Sequence, residues 1–554
     1  MSDDFSAWAQ RARGLAAHIH ASSYLLLHSQ DLLVCDVWRS VPGDWQNYLE
    51  KLTFTELGRL HIDPLPTRCG DPPPSLAHFI ALHRHLAIHR QPSDEEEVSD
   101  SASIGAMKSY TKAAKRAKKS HEVEKLSALI AAVAVACNCS RAIDIGCGKG
   151  SLASHLSALC GLDVVGLESQ EDVAATAAAL ASRSAEGGHV RIWQRTIVPD
   201  EHAPAIVDRI CSEAWPAAGG AAASSGVVLC ALHACGDLSP TITRCFALAP
   251  SVAALVLVPC CYNLLTVHSD PCGAEHWAMR AVCQPCGTSP TVEAALSSSG
   301  TAQMPEIRPR TAQMPEIRPR TARVPSVALA AATTAGFPLS DTVRATGLVL
   351  SRDARMTATL REAAALPTAW LDDASATADG AAPPAAVLRQ LWNCLFAALV
   401  RDRYADLVPA GTRVSTGGAR KHHHLRARQQ AQDQGQDETA STGRSEFVAF
   451  VEGALAQAGL PANRLDRSEL SRYAETRCTD GVVNAARRVA AIAALQAALA
   501  PLVESLLLVD HVLFLHESGV CEDIRAVPVF KPERSVRNVA IVARKRMPAD
   551  FLVQ

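Results

Sequence analysis

This 554-residue chain predicts an α/β fold built on a doubly wound, mostly parallel sheet. Three observations carry that expectation. Short apolar runs at 141–145, 163–168, 189–194, 227–233 and 253–260 alternate with helix-compatible segments, the pattern that builds a parallel sheet. A glycine-rich turn, Asp144-Ile145-Gly146-Cys147-Gly148-Lys149-Gly150, joins the first run to an apolar, helix-compatible stretch at 151–160. Two strand-like runs near the C-terminus, 527–530 and 538–544, would add an antiparallel pair.

Residues 1–92 read as an N-terminal helical region. Trp38, Trp45, Tyr48 and Leu49 are spaced for one buried helical face, and Pro72-Pro73-Pro74 interrupts the chain. Residues 93–104 form an acidic linker that contains SDEEEVSD. Residues 105–270 hold the sheet-forming core. Its first segment is basic: Lys108, Lys112, Lys115, Arg116, Lys118, Lys119 and Lys125 face only Glu122 and Glu124. A solvated helix face is the commoner outcome of such a run; the functional reading is a substrate-facing segment beside the cofactor.

The glycines allow a sharp strand-to-helix turn and close approach of a ligand to the backbone. Glu168 ends the next apolar run, where a carboxylate accepts ribose hydroxyls. A dinucleotide fingerprint, Gly-x-Gly-x-x-Gly, would place its third glycine where Ser151 stands. Lys149 is followed by Gly150, so no Gly-Lys-Ser/Thr phosphate loop is present. Asp144 has no task beside a pyrophosphate and suits a cationic methionyl end. S-adenosyl-L-methionine is therefore the expected cofactor, with Asp144, Gly146, Gly148, Gly150 and Glu168 as its contacts.

Ligands of such sheets bind at the carboxyl ends of the strands. That singles out 232–237 after the fourth strand and 258–263 after the fifth. His233 or Asp237 could accept a proton there; Asp237 could equally contact the cofactor or cap the helix that follows. Tyr262 and Asn263 are expected over a substrate ring or amide. Cys235 and Cys261 occupy places comparable to the nucleophiles of cytosine C5 methylation, but the flanking residues differ, and buried thiols are commoner. No Asp/Asn-Pro-Pro-aromatic loop follows the fourth strand, which counts against methylation of an adenine amine.

Residues 271–330 read as a disordered insertion, in which TAQMPEIRPR occurs at 301–310 and again at 311–320. Residues 331–500 read as a mostly helical insertion with a low-complexity stretch at 411–444. Residues 501–546 return to the sheet after a long helix at 485–516. Cys272, Cys283, Cys286 and His276 superficially resemble zinc ligands, and His422, His423 and His424 form a run. Neither has companion ligands at fixed spacing, and no metal ligand is assigned.

Lys and Arg total 54 against 56 Asp and Glu, so global charge makes no case for nucleic acid. Eighteen cysteines without a spaced framework, and an acidic start without a signal peptide, favour reduced thiols in the cytoplasm or nucleus. The most apolar stretch, 502–515, is interrupted by Glu504, Asp510 and His511, and no membrane association is expected.

Taken together, Asp144-x-Gly-x-Gly-Lys-Gly, Leu232-His233-x-Cys235-Gly236-Asp237-Leu238 and Cys260-Cys261-Tyr262-Asn263-Leu264-Leu265-Thr266 resemble the methyltransferase-like protein 25 family. Its sister is the ribosomal RNA adenine dimethylase domain-containing family. Lys118-Lys119-Ser120-His121-Glu122, Gly336-Phe337-Pro338-Leu339-Ser340, Arg352-Asp353-Ala354-Arg355-Met356, Leu502-Val503-Glu504-Ser505-Leu506 and Ser535-Val536-Arg537-Asn538 extend the likeness. The chain departs from the family in Lys115-Arg116-Ala117, where a Met-x-Pro is usual, and in Val536, where Pro is preferred. The resemblance implies a Rossmann-like class I methyltransferase sheet and methyl transfer from S-adenosylmethionine. RNA is the favoured substrate class. A protein substrate and a catalytically silent cofactor-binding scaffold are the alternatives.

Overall fold

The computed structural model describes residues 2–61, 64–92, 112–182, 189–216, 226–267, 336–359, 382–409, 412–414, 442–532 and 534–546. The acidic linker, the TAQMPEIRPR repeats, the histidine run and Cys272, His276, Cys283 and Cys286 lie outside these residues.

Seven strands form one sheet: β1 (Arg141–Ile145), β2 (Asp163–Glu168), β3 (Val190–Gln194), β4 (Val227–Cys235), β5 (Val252–Cys260), β6 (Cys521–Pro528) and β7 (Val539–Lys545). Their order is β3-β2-β1-β4-β5-β7-β6. The first five are parallel, β7 runs antiparallel to β5, and β6 pairs antiparallel with β7. This is a Rossmann-like methyltransferase sheet, as expected. The strand order reverses between β1 and β4, which opens a crevice at their carboxyl ends.

The helices before the sheet are α1 (Ser2–Ala21), α2 (Val37–Ser40), α3 (Gly43–Leu49), α4 (Phe54–Arg59), α5 (Pro74–Leu86) and α6 (Lys112–Ala136). The crossovers are α7 (Ser151–Cys160), α8 (Glu171–Ala181), α9 (Ala203–Ala214) and α10 (Leu238–Leu248). Then follow α11 (Asp341–Arg344), α12 (Arg352–Thr359), α13 (Ala385–Arg403), α14 (Thr442–Ala458), α15 (Arg467–Arg477) and α16 (Val482–Ser518).

Strand periodicity divides the core. Side chains alternate across a pleated sheet, so neighbouring apolar residues enter different layers. Ile143, Val165, Leu229, Ala231, Leu255 and Leu257 face a large layer that includes α9, α10, α16 and the N-terminal helices. Ala142, Val164, Val228, Cys230, Ala254, Val256 and Val258 face a smaller layer with Leu126, Ile130 and Val133 of α6 and Leu152 and Leu156 of α7. Both faces being covered explains why the central strands read as continuous apolar runs.

Helix α16 has the length and hydropathy of a membrane span, yet 94% of its most apolar window is buried inside the protein. Its polar residues have internal partners. Glu504 meets Arg90 and Arg537. Asp510 accepts from Leu339 N at 2.7 Å, Ser340 N at 2.8 Å and Ser340 Oγ at 2.6 Å. His511 Nδ1 lies 2.8 Å from Thr243 Oγ1.

Two local expectations need correction. Trp38 lies on α2 and Trp45, Tyr48 and Leu49 on α3, because Val41-Pro42 ends the first helix; there is no single four-residue face. The first C-terminal strand runs from Cys521 to Pro528, earlier than the apolar run at 527–530. As an edge strand it alternates buried Cys521 and Ile524 with exposed Glu522 and Arg525, so it has no continuous apolar stretch.

Candidate active site

The turn after β1 is built by backbone conformation. Gly148 has φ +56° and Gly150 φ +74°, left-handed values that a side chain would strain, and Gly150 then starts α7. The amides of Gly146 and Cys147 both donate to Leu167 O of β2, at 2.8 and 3.0 Å. Glu168 ties the same loop from the side: Gly148 N donates to its Oε2 at 3.0 Å and Gln170 N to its Oε1 at 3.0 Å. Glycine loop and carboxylate thus form one rigid rim.

Asp144 sits beneath that rim with 1% exposure. Burial pushes its carboxyl up to about 7, against the opposing pull of Lys119 and the Ala153 backbone N–H. Its Oδ2 is buried and has no hydrogen-bond partner. Asp144, Gly146 and Gly148 line a cleft of about 210 Å³ together with Lys118, Lys119 and His233. A buried carboxylate oxygen facing such a cleft lacks a cationic or N–H partner.

Opposite the glycines, His233 lies at a left-handed φ of +63°, where the β4–β5 register shifts between Leu232 and Ala234. It is the extra residue of a bulge, a device that re-aims a side chain. Its Nε2 is 3.2 Å from Glu122 Oε2 of α6. Burial disfavours its charge, but hydrogen bonding to Cys260 and Glu122 prevails and pushes its pKa up to about 9. Glu122 is 3% exposed and is held at Oε1 by Ser535 Oγ at 2.7 Å and Lys118 Nζ at 3.4 Å.

The other expected site residues take separate places. Asp237 stands at the start of α10 without capping it by its side chain. Its Oδ1 accepts from Thr266 N at 2.7 Å instead, which fixes the chain after β5. Tyr262 does not face the cleft: it is 1% exposed, its hydroxyl donates to Glu504 Oε1 at 3.2 Å, and the Arg537 guanidinium lies 5.2 Å from its ring centre. The 3-10 turn at Tyr262–Leu264 directs the ring inward, which the sequence did not show. Asn263 is partly exposed and its backbone N donates to Thr359 Oγ1 at 3.2 Å.

Sequence reasoning missed the place of Glu122, and it weighed Cys235 and Cys261 as nucleophiles without seeing that they cluster with Cys260. Glu122 was read as charge balance in a basic run and as the last residue of the Lys118-Lys119-Ser120-His121-Glu122 likeness, with no site role; its neighbours Val123 and Leu126 on the buried side of α6 were the available signal. Cys235, Cys260 and Cys261 converge with their sulfurs within 4.8 Å of one another, through pairing of strands that the sequence separates.

The family described as a methyltransferase domain matches residues 118–268. That segment is similar to a methyltransferase domain. It begins at Lys118 on the cleft wall and contains β1 to β5, the glycine turn, Glu122, His233 and the three converging cysteines. The sheet of that segment is completed in space by β6 and β7, which come from beyond the matched stretch. Over 52 residues the chain is 50% identical to probable methyltransferase-like protein 25 of Mus musculus; that stretch is 9% of this chain and 9% of the relative. No solved structure matches the chain.

Proposed function

We propose that the protein is an S-adenosylmethionine-dependent methyltransferase with RNA as its substrate class. The observation that carries the cofactor is the unpartnered, buried Oδ2 of Asp144 in a cleft rimmed by glycines. The residues fit the group. Asp144 would take the methionyl ammonium, Glu168 the ribose hydroxyls, and the glycine turn leaves room for close backbone contact. When bound, the sulfonium supplies an electrophilic methyl group for in-line displacement by a substrate nucleophile.

The chain's own residues position and shield. With Nε2 engaged by Glu122 and Nδ1 buried, His233 shapes the wall rather than collecting a substrate proton. Asp237 holds Thr266 and so sets the loop beside that wall. The RNA reading is supported by Lys118 and Lys119 at the cleft and by exposed Lys125 on the same helix, which suit a phosphate backbone. Every described cysteine is free, in keeping with a cytoplasmic or nuclear protein.

Calorimetry with S-adenosylmethionine tests the first step; no heat of binding to the wild-type chain would overturn it. Transfer of labelled methyl groups into a lysate, followed by RNase or protease, tests the second. Label that survives RNase but not protease assigns a protein substrate instead.

A further inference from the structure

We propose that Cys235, Cys260 and Cys261 bind a zinc ion through their three sulfurs, which lie within 4.8 Å of one another, with water as the fourth ligand. The cysteines come from the facing ends of β4 and β5, where Cys235 pairs with Cys260. Cys235 Sγ is 3.2 Å from Cys261 Sγ, and Cys261 Sγ is 3.5 Å from Cys260 Sγ. Tetrahedral zinc with Zn–S bonds of about 2.3 Å sets sulfurs about 3.8 Å apart. An outward adjustment of a few tenths of an ångström, on the order of that difference, makes the triangle fit.

The backbone is shaped for this convergence. Adjacent residues of a regular strand point to opposite faces, so Cys260 and Cys261 would ordinarily diverge. Cys261 instead has φ +46°, and its sulfur returns to its neighbour's side. His233 occupies the bulge in β4 at φ +63°. Two non-glycine residues in left-handed conformations within one loop pair are strain of the kind found at functional sites.

Zinc binding would displace the thiol protons to solvent. Three thiolates form a soft donor set that favours zinc over calcium or magnesium, with water completing the tetrahedron. Cys235 is exposed, which gives the ion a path in. The site would lock the tips of β4 and β5 and fix His233 in the cleft wall; its occupancy does not depend on methyl transfer.

The test uses the full chain, purified under reducing conditions, stripped with a chelator and titrated with zinc alone. We expect one zinc per chain by elemental analysis, and thiolate-to-metal charge-transfer bands when cobalt(II) replaces zinc. C235S, at the exposed cysteine, and C261S should each weaken zinc about 100-fold or more. Circular dichroism of each variant checks folding, and the cobalt spectrum of the wild-type chain stands if a variant fails to fold. Three results overturn the proposal: no zinc taken up by the reduced wild-type chain, zinc and cobalt bands retained unchanged by a folded C235S, or a Cys235–Cys261 disulfide that persists under reductant.

Discussion

Glu122 of α6 and His233 of β4 meet at 3.2 Å across the cleft, joining the helix that precedes the sheet to its switch point. Glu122 is almost wholly buried, so removing its partner strands a charge rather than freeing a surface group. Glu122→Gln and His233→Gln should each destabilise the methyltransferase domain, and the double variant should lose less than their sum. A double-mutant cycle at pH 7, by denaturant unfolding, should give a coupling of roughly 1–3 kcal/mol. Additivity within a few tenths would mean the pair is incidental.

Asp144 links cofactor affinity to pH. Its pKa of about 7 arises from burial first, moderated by Lys119 of α6 and the Ala153 amide, with Glu168 of β2 adding to the rise. The ionised form is the one that takes an ammonium. Binding of S-adenosylmethionine should therefore strengthen as pH rises through about 7, and Asp144→Asn should flatten that dependence and weaken binding about 10-fold or more. Stability moves the other way. A carboxyl raised in the fold above its unfolded value favours folding less as pH climbs from the unfolded pKa through about 7. Ligand-free Asp144→Asn should thus gain on the wild type above pH 7. Calorimetry and thermal melts at pH 6 and pH 8 read both effects.

Glu504 is the anchor of a buried charge cluster behind the site. It receives Arg537 Nη1 at 2.9 Å and the Tyr262 hydroxyl at 3.2 Å, and it also meets Arg90 from the N-terminal region. Glu504→Ala would leave two cations facing each other in the interior, a loss of about 3–5 kcal/mol. Hydrogen exchange should show that loss in β7 and α16. Arg90→Ala, which removes the more exposed partner, should cost less; equal protection in wild type and Glu504→Ala would reject the cluster's structural role.

The glycine turn was legible because its chemistry is local. Asp144, Gly146, Gly148 and Gly150 lie within seven residues, and the backbone conformation they require is written in the residue types. The five parallel strands were legible for a related reason: burial on both faces leaves apolar runs such as Val252–Cys260. What the sequence concealed depends on contacts between distant segments. Glu122 and His233 are 111 positions apart (233 − 122), and the apolar neighbours Val123 and Leu126 mark a buried side of the helix without naming the partner Glu122 finds there. Tyr262 reads as a site aromatic until Glu504, 242 residues later, claims its hydroxyl. Edge strand β6 escaped for the opposite reason, its single buried face being punctuated by charge.

The junction around the repeat-bearing segment carries a last prediction. Val267 and Phe337 form a parallel bridge, Phe337 N donates to Thr266 O at 2.9 Å, and Gly336 N donates to Thr266 Oγ1 at 2.8 Å. Residues 268–335 therefore leave and re-enter the fold at one place. Their entry is secured by Asp237, whose Oδ1 holds Thr266 N and would lie 2.1 Å from a Cβ at position 336. Closing a loop costs free energy that grows only slowly with its length, and a parallel return needs about a dozen residues. Replacing 268–335 by a Gly/Ser linker of about that length should thus change stability by no more than about 1 kcal/mol and leave S-adenosylmethionine binding intact. Gly336→Ala in the same background should instead destabilise by about 1–3 kcal/mol, because the added methyl displaces a carboxylate already committed to Thr266. If the linker variant melts well below wild type while Gly336→Ala is neutral, the fold is held by the segment itself and not by its anchored ends.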